Sequence, residues 1–395
     1  MVTTKKRNSH NYWIKPLTFS TPLLEGESIG SWIIRASLSQ KCTLTTFMGF
    51  YWQHVDDRLD RYDFDKGFEH VKPDVHEDMA ILAETTVDRF NKQTLTSFAR
   101  EQGLISHSSS ALKWTLPLSR RHLYGRFGHP YCPDCMADNE KSHLKLRWRL
   151  AWSVYCDEHH RVLQTNCPHC DIPYQPLLAK IENRYINFCC HCDGKIDKAI
   201  IPTEHIDNGV LKFQQLAQMV WHNKYGYVLN QKVTSGEWFE FILFAVNMVR
   251  VALKNSEYMF GRLLAEFDID IAHTKRPSTG SRLELLPAME RVELFKLVSQ
   301  LLQVSKEQWL KSGEIVGLAQ NSFNWNKKTE IPKAFMPVYM GLKSSPKREY
   351  KQREISNEPK SFETTLMEWH RLKRKLEARD QYERHLESGQ RNQTL

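Results

Sequence analysis

Hydrophobic side chains recur at helical spacing along much of this chain. Ile29, Trp32, Ile33 and Ala36 share one face between Glu27 and Gln40, with Ser28 placed to cap the first turn. Phe47, Met48, Phe50 and Tyr51 predict a second, shorter helix over Thr45–Trp52, and the acidic run Asp56–Asp65 reads as a solvated connection. Glu77–Glu84 and Val87–Leu95 predict two short helices around Thr85-Thr86, a unit of helix-turn-helix size whose spacing a small bundle serves equally well. Further on, Trp238, Phe241, Ile242, Ala245, Val249 and Ala252 form one face, capped by Ser235. Another helix opens with Pro287 in its first turn and runs through Val292, Leu294, Leu297, Val298 and Leu301. Lys306–Phe323 has room for a second helix-turn-helix around Gly313.

Between His107 and His205 this periodicity lapses, and the chain turns aromatic and rich in Cys and His, as a region held together by ions would. Ser344–Lys360 carries charge, Pro and Ser and reads as a linker; Phe362, Leu366, Trp369, Leu372 and Leu376 then mark a charged C-terminal helix. The expected fold is mainly α. It comprises an N-terminal helix-turn-helix-containing domain (1–105), two tandem zinc ribbons (106–205), a helical C-terminal domain (206–343), and the linker with its final helix (344–395).

Composition sharpens the picture. With 41% hydrophobic and 26% charged residues the 395-residue chain can bury more than one core. Its formal charge of +9 favours a polyanionic partner, because Lys and Arg neutralise phosphates and release their counterions. Lys5, Lys6 and Arg7 are not followed by the apolar stretch of a secretory signal, so a cytoplasmic location is expected. The most apolar run, Trp238–Leu253, is broken by Glu240, Asn247 and Arg250 and is too short to span a bilayer.

Nine cysteines in such a chain should be reduced, and eight of them crowd between Cys132 and Cys192. Cys132-Pro-Asp-Cys135 is followed by Cys156-Asp-Glu-His159, and Cys167-Pro-His-Cys170 by Cys189-Cys190-His191-Cys192. Two ligands separated by two residues converge in a tight turn on one edge of a tetrahedron, and a second such turn supplies the opposite edge. The expected ligands are therefore Cys132, Cys135, Cys156 and His159 for one zinc ion, and Cys167, Cys170, Cys189 and Cys192 for another. Cys190 is an alternative to Cys189, and His160 to His159. An all-thiolate iron–sulfur cluster is open to the second set alone. Four protein ligands leave no position for an activated water, so both ions would be structural. His129 and His169 are close enough in sequence to support the ligands, although each reads more simply as a surface histidine. Cys42 reads as a small buried side chain.

No Gly-rich phosphate loop or paired catalytic carboxylates stand out, and the Asp56, Asp57, Asp60, Asp63 and Asp65 run reads as a charged loop; no catalytic residue is assigned and no enzyme is expected. Arg120, Arg121 and Arg126 are candidate phosphate contacts, a solvated loop being the plainer reading. Arg147, Trp148, Arg149 and Trp152 are expected on a helix joining the two halves of the first metal site, with both tryptophans inward.

The order His129-Pro-Tyr-Cys-Pro-Asp-Cys135, Leu146-Arg-Trp-Arg-Leu-Ala-Trp152, Cys156–His159 and Asn166–Cys170 resembles the TniQ family, which includes the TnsD-type target selectors. Pro22–Ser28, Ser31–Arg35 and Leu82–Thr86 are also similar to that family's opening segments, so the resemblance covers roughly the first half of the chain. It implies an adaptor that selects the insertion site of a transposon and recruits an AAA+ ATPase, which licenses the transposase. Some members read target DNA themselves, and others are carried by a CRISPR Cascade complex with its guide RNA. The length of this chain favours the Cascade-associated type, acting as a homodimer. The competing reading is a stand-alone, sequence-specific DNA-binding protein.

Overall fold

The computed structural model describes residues 14–52, 64–66, 73–103, 112–118, 128–197, 206–275, 282–324 and 330–344, and most of residues 361–376. The chain divides into two compact units, Met1–Ser344 and Ser345–Leu395. As the periodicity predicts, the first is mainly helical.

Helix α1 (Ile29–Ser39) begins where Ser28 accepts a hydrogen bond from the Ser31 amide, and it buries Ile29, Trp32, Ile33 and Ala36. α2 (Leu44–Trp52) buries Phe47 and Met48 but leaves Phe50 exposed. α3 (Pro73–Leu82), α4 (Val87–Lys92) and α5 (Leu95–Glu101) follow, the last two capped by Thr86 and Thr94. The short α4 ends at Lys92, so the single helix expected through Leu95 is interrupted where Thr94 caps a new one.

In the second half, α6 (Asn208–Asn223) leads into an antiparallel hairpin, β1 (Tyr225–Val228) and β2 (Gln231–Thr234), which the periodicity did not predict. Its two turn residues, Leu229 and Asn230, both have positive φ, the geometry that matches the natural strand twist. Helix α7 (Ser235–Lys254) is capped by Thr234 rather than Ser235. Thr234 accepts from the Glu237 amide while Glu237 accepts from the Thr234 amide, a reciprocal box that Ser235 is one residue too late to form. α8 (Met259–Glu266), α9 (Ala288–Leu301, preceded by Pro287), α10 (Lys306–Val316) and α11 (Met336–Tyr339) complete the unit. Within the expected Lys306–Phe323 unit, α10 is followed by a 3-10 turn at Gln320–Phe323, too short for the second helix of a helix-turn-helix.

Two apolar cores result. Helices α1–α4 pack with the Cys/His-rich region around Trp32, Tyr131, Trp148 and Tyr174. Helices α5–α10 pack around Trp114, Trp152, Trp238 and Phe335. Among the described residues, no helix is long and apolar enough to cross a membrane. In the second unit, Phe362, Leu366, Trp369, Leu372 and Leu376 are exposed.

Candidate metal centres

Each Cys/His pair sits in the same kind of turn. The amide four residues after the first ligand donates back to that ligand's carbonyl, as in Met136 to Cys132 (3.1 Å), His160 to Cys156 (2.8 Å), Asp171 to Cys167 (2.9 Å) and Asp193 to Cys189 (3.0 Å). Single antiparallel bridges, Tyr155↔Val162, Asn166↔Pro173 and Phe188↔Lys195, close the last three turns from outside. His160, Asp171 and Asp193, which follow the second ligand, all adopt positive φ. That backbone reversal directs the preceding side chain inward and carries the next one away, which is why His159 and not His160 joins the first group.

The ligand atoms of Cys132, Cys135, Cys156 and His159 lie within 4.8 Å of one another, as do those of Cys167, Cys170, Cys189 and Cys192. A tetrahedral ion with metal–sulfur bonds of about 2.3 Å requires sulfurs about 3.8 Å apart. The sulfurs are 3.6 Å apart for Cys135–Cys156, 3.6 Å for Cys167–Cys192 and 3.8 Å for Cys170–Cys189. His159 Nδ1 stands 3.7, 3.3 and 3.6 Å from the sulfurs of Cys132, Cys135 and Cys156. Sulfurs joined in a disulfide would be about 2.0 Å apart, and all nine cysteines are free. The two groups could therefore each hold a metal ion.

Convergence also sets the acid–base character of the thiols. At Cys132 the hydrogen bond with Cys135 lowers the pKa, but the bond with Cys156, burial and the charge of Cys156 raise it, to about 12. Hydrogen bonds from Cys132 and Cys135 hold Cys156 well below the ordinary thiol range, while the bonds with Cys132 and Cys156 drive Cys135 far up. Three thiols at one point cannot all ionise without a cation among them, and they match a donor set for a soft divalent ion. In the second group, the amides of His169 and His191 point at the sulfurs of Cys167 and Cys189 at 3.5 and 3.4 Å. Cys190 is a middle residue of its turn and stays outside the ligand group; burial, reinforced by Cys189, pushes its thiol up to about 11.

The groups are tied to each other and to both cores. Asn187 donates to the Met136 carbonyl (2.8 Å) and Asn139 Oδ1 (3.0 Å), and Lys195 reaches the Ala137 carbonyl (2.8 Å), so the loop beyond the first pair grips the second group. Tyr131 and Tyr174 meet edge to face at 5.2 Å between them. From the C-terminal half, Gln214 of α6 accepts from the Val154 and Tyr155 amides, each at 2.9 Å, and donates to the Tyr155 carbonyl and Asp157.

The expected helix at Leu146–Trp152 is a single 3-10 turn, Leu146–Arg149, and its four marked side chains part company. Arg147 pairs with Asp157 inside the Cys156–His159 turn at 2.8 Å. Trp148 and Trp152 are both buried, as expected, but each enters a different core. This segment is the seam between them.

Arg149 is fully buried. It donates to the Leu116 carbonyl (2.9 Å) and to Asp65 Oδ2 (2.6 Å), while Asp65 Oδ1 accepts the Gly30 amide of α1 (2.7 Å). His129 is also buried, with Nε2 3.4 Å from Asp65 Oδ2, so it is not the surface histidine its sequence context suggests. Asp65 corrects the reading of its acidic run as solvated throughout. Burial opposes ionisation of Asp65, yet the His129 contact, the Arg149 and His129 charges and the Gly30 amide outweigh it and hold the carboxyl well below the ordinary carboxylate range. No local signal marks Asp65, because its partner is 84 residues away. Glu27 was likewise unmarked: it is buried and bidentate to Arg35, with both contacts at 2.7 Å. His169 is exposed, as expected, and meets the Lys195 carbonyl at 2.9 Å. Cys42 is half-buried, its sulfur 3.5 Å from the Ser37 carbonyl. Arg120, Arg121 and Arg126 lie outside the described residues.

Two pairs of thiol-bearing turns, each set able to hold a metal ion, are consistent with tandem zinc ribbons. Residues 19–163 match the model of the TniQ family, so that stretch is similar to a TniQ domain, which suggests a transposition-associated target-selection protein. The match takes in α1–α5, the 3-10 seam and the whole first ligand group, and stops short of the second. No curated protein matches the chain.

Proposed function

We propose that this protein is a target-site selection adaptor of a DNA transposon, working in the cytoplasm, which couples a targeting component to the AAA+ ATPase that governs the transposase. The targeting component in this reading is a CRISPR Cascade effector with its guide RNA, target DNA lies alongside, and the adaptor works as a homodimer. The observation that carries the reading is the TniQ domain at residues 19–163, whose first ligand group and seam are built into both apolar cores. A rigid middle with helices on either side suits a part that must hold two partners in fixed register.

Each group takes one zinc ion: Cys132, Cys135, Cys156 and His159 the first, Cys167, Cys170, Cys189 and Cys192 the second. Zinc supplies fold-holding cross-links where the chain has little periodic secondary structure, and these residues fix its coordination at four. The pair α3 and α4 around Thr85-Thr86 is the part in which we place the helix-turn-helix.

The test is co-purification. The tagged full-length chain, co-expressed with an AAA+ transposition ATPase and Cascade proteins, should retain both after size-exclusion chromatography. Tight, sequence-selective binding of the isolated chain to one duplex, with no retention of either complex, would favour the stand-alone DNA-binding protein instead.

A further inference from the structure

The hairpin between α6 and α7 presents a feature that packing does not account for. Its inward positions dock it rigidly: a Cβ added to Gly226 would come within 2.7 Å of the Trp238 ring and 2.8 Å of Val220, so the strand lies flush on both helices. Val228 is buried beside it. The alternate positions point outward, and they are Tyr225 and Tyr227 on β1 and Lys232 and Thr234 on β2, paired across the ladder as Tyr225↔Thr234 and Tyr227↔Lys232.

An outward strand position that needs only solubility is cheaply filled by a small or charged side chain. Here two tyrosines stand 37% and 59% exposed, which decides that neither serves the core. Their rings meet edge to face at 6.0 Å, and Lys232 Nζ lies 3.9 Å from the Tyr225 ring centre. The hairpin, residues 225–234, carries one cation and no carboxylate of its own, and the neighbouring Glu237 carboxylate is engaged by the Thr234 amide and hydroxyl. The backbone beneath is fixed by docking and by the two-residue turn, so the rings are held in place at little entropic cost on binding.

We propose that this face is a stacking platform for unpaired nucleic acid, with a base laid on the open face of Tyr227 and Lys232 exchanging its contact with Tyr225 for a phosphate of the same strand. Aromatic rings beside a lysine on a rigid strand are what single strands require: the ring takes the base whatever its identity, and the cation takes the backbone. A closed duplex offers no free base to stack, so the rings suit an unpaired strand rather than a duplex. The site is separate from both metal groups and does not depend on the targeting route proposed above.

The experiment is fluorescence anisotropy with the full-length chain and a labelled oligodeoxythymidine of about 16 nucleotides, against a duplex of the same length. Tyr227→Ala should weaken single-strand binding by about five- to 150-fold, Tyr227→Phe should leave it within about twofold, and Lys232→Gln should weaken it and flatten its salt dependence. Duplex binding should be insensitive to Tyr227→Ala. Photocrosslinking of a bromodeoxyuridine oligonucleotide should map to the hairpin. Failure of the wild-type chain to bind the oligonucleotide, equal loss of duplex and single-strand binding, or an unchanged affinity in Tyr227→Ala and in the Tyr225→Ala/Tyr227→Ala double variant would overturn the proposal, as would a crosslink confined to other segments. Because Tyr227 is exposed and the strand is held by Gly226 and Val228, these variants should keep the wild-type melting temperature, which separates a lost site from a lost fold.

Discussion

Replacing Asp65 by Asn removes one charge and changes little else in size, so it isolates what the buried ion pair contributes. Arg149 keeps its contact with the Leu116 carbonyl but loses the carboxylate 2.6 Å away in a site where it is fully buried. Removing one partner of such a pair typically costs about 3–5 kcal/mol, because the remaining charge has been taken out of water without compensation. That is a large share of a total folding stability of about 5–15 kcal/mol. Asp65→Asn should therefore shift the urea midpoint down by on the order of 1 M or more. Arg149→Met should do likewise, and the double variant should lose clearly less than the two single losses added together, since it leaves neither charge alone. The pH dependence has a definite sign. The folded-state carboxyl is held below its ordinary value, so the advantage of wild type over Asp65→Asn should be complete above a pH of about 4 and should shrink as the pH falls below that. Strict additivity of the two single variants, or a loss under about 1 kcal/mol in Asp65→Asn, would refute the reasoning.

Three further outcomes follow from the metal groups and their supports. Cys170→Ser should release one ion per chain and expose the second ribbon to limited proteolysis, whereas Cys190→Ser, outside the ligand group, should keep both ions and resist the protease as wild type does. Gly128→Ala should destabilise by about 1–3 kcal/mol or more in thermal unfolding, because the new methyl would stand 1.8 Å from the Thr165 carbonyl oxygen; an unchanged melting temperature would contradict that packing. Gln214→Leu should cost about 1–3 kcal/mol for each amide it orphans, Val154 and Tyr155, and should speed hydrogen exchange at both.

What was legible in the sequence was what local spacing encodes. The Ile29–Ala36 stripe with its Ser28 cap, the α7 and α9 faces and the ligand spacings all depend on residues within a turn or two of each other. The TniQ resemblance rested on the same kind of short-range pattern. Distance along the chain is where legibility ended. Asp65, His129 and Arg149 come together only after three separate segments fold, and the same letters on the surface would look no different. The Leu146–Trp152 segment misled because an i, i+4 pair of tryptophans suits a helix, while the observed turn sends Trp148 and Trp152 into opposite cores. The hairpin escaped because strands of four residues around a Leu229-Asn230 turn lack the Asn-Gly or Asp-Gly signature that would announce them. Thr234 and Ser235 are both competent caps, and only the reach of Glu237 back to residue 234 chooses between them.

Elemental analysis of the full-length protein, purified without added metal and joined to X-ray absorption at the zinc edge, addresses the core of this account. Two zinc ions per chain are expected, with sulfur at about 2.3 Å dominating the shell and a minor nitrogen component at about 2.0–2.1 Å from His159. Folded, monodisperse protein containing neither zinc nor another thiophilic metal would contradict it.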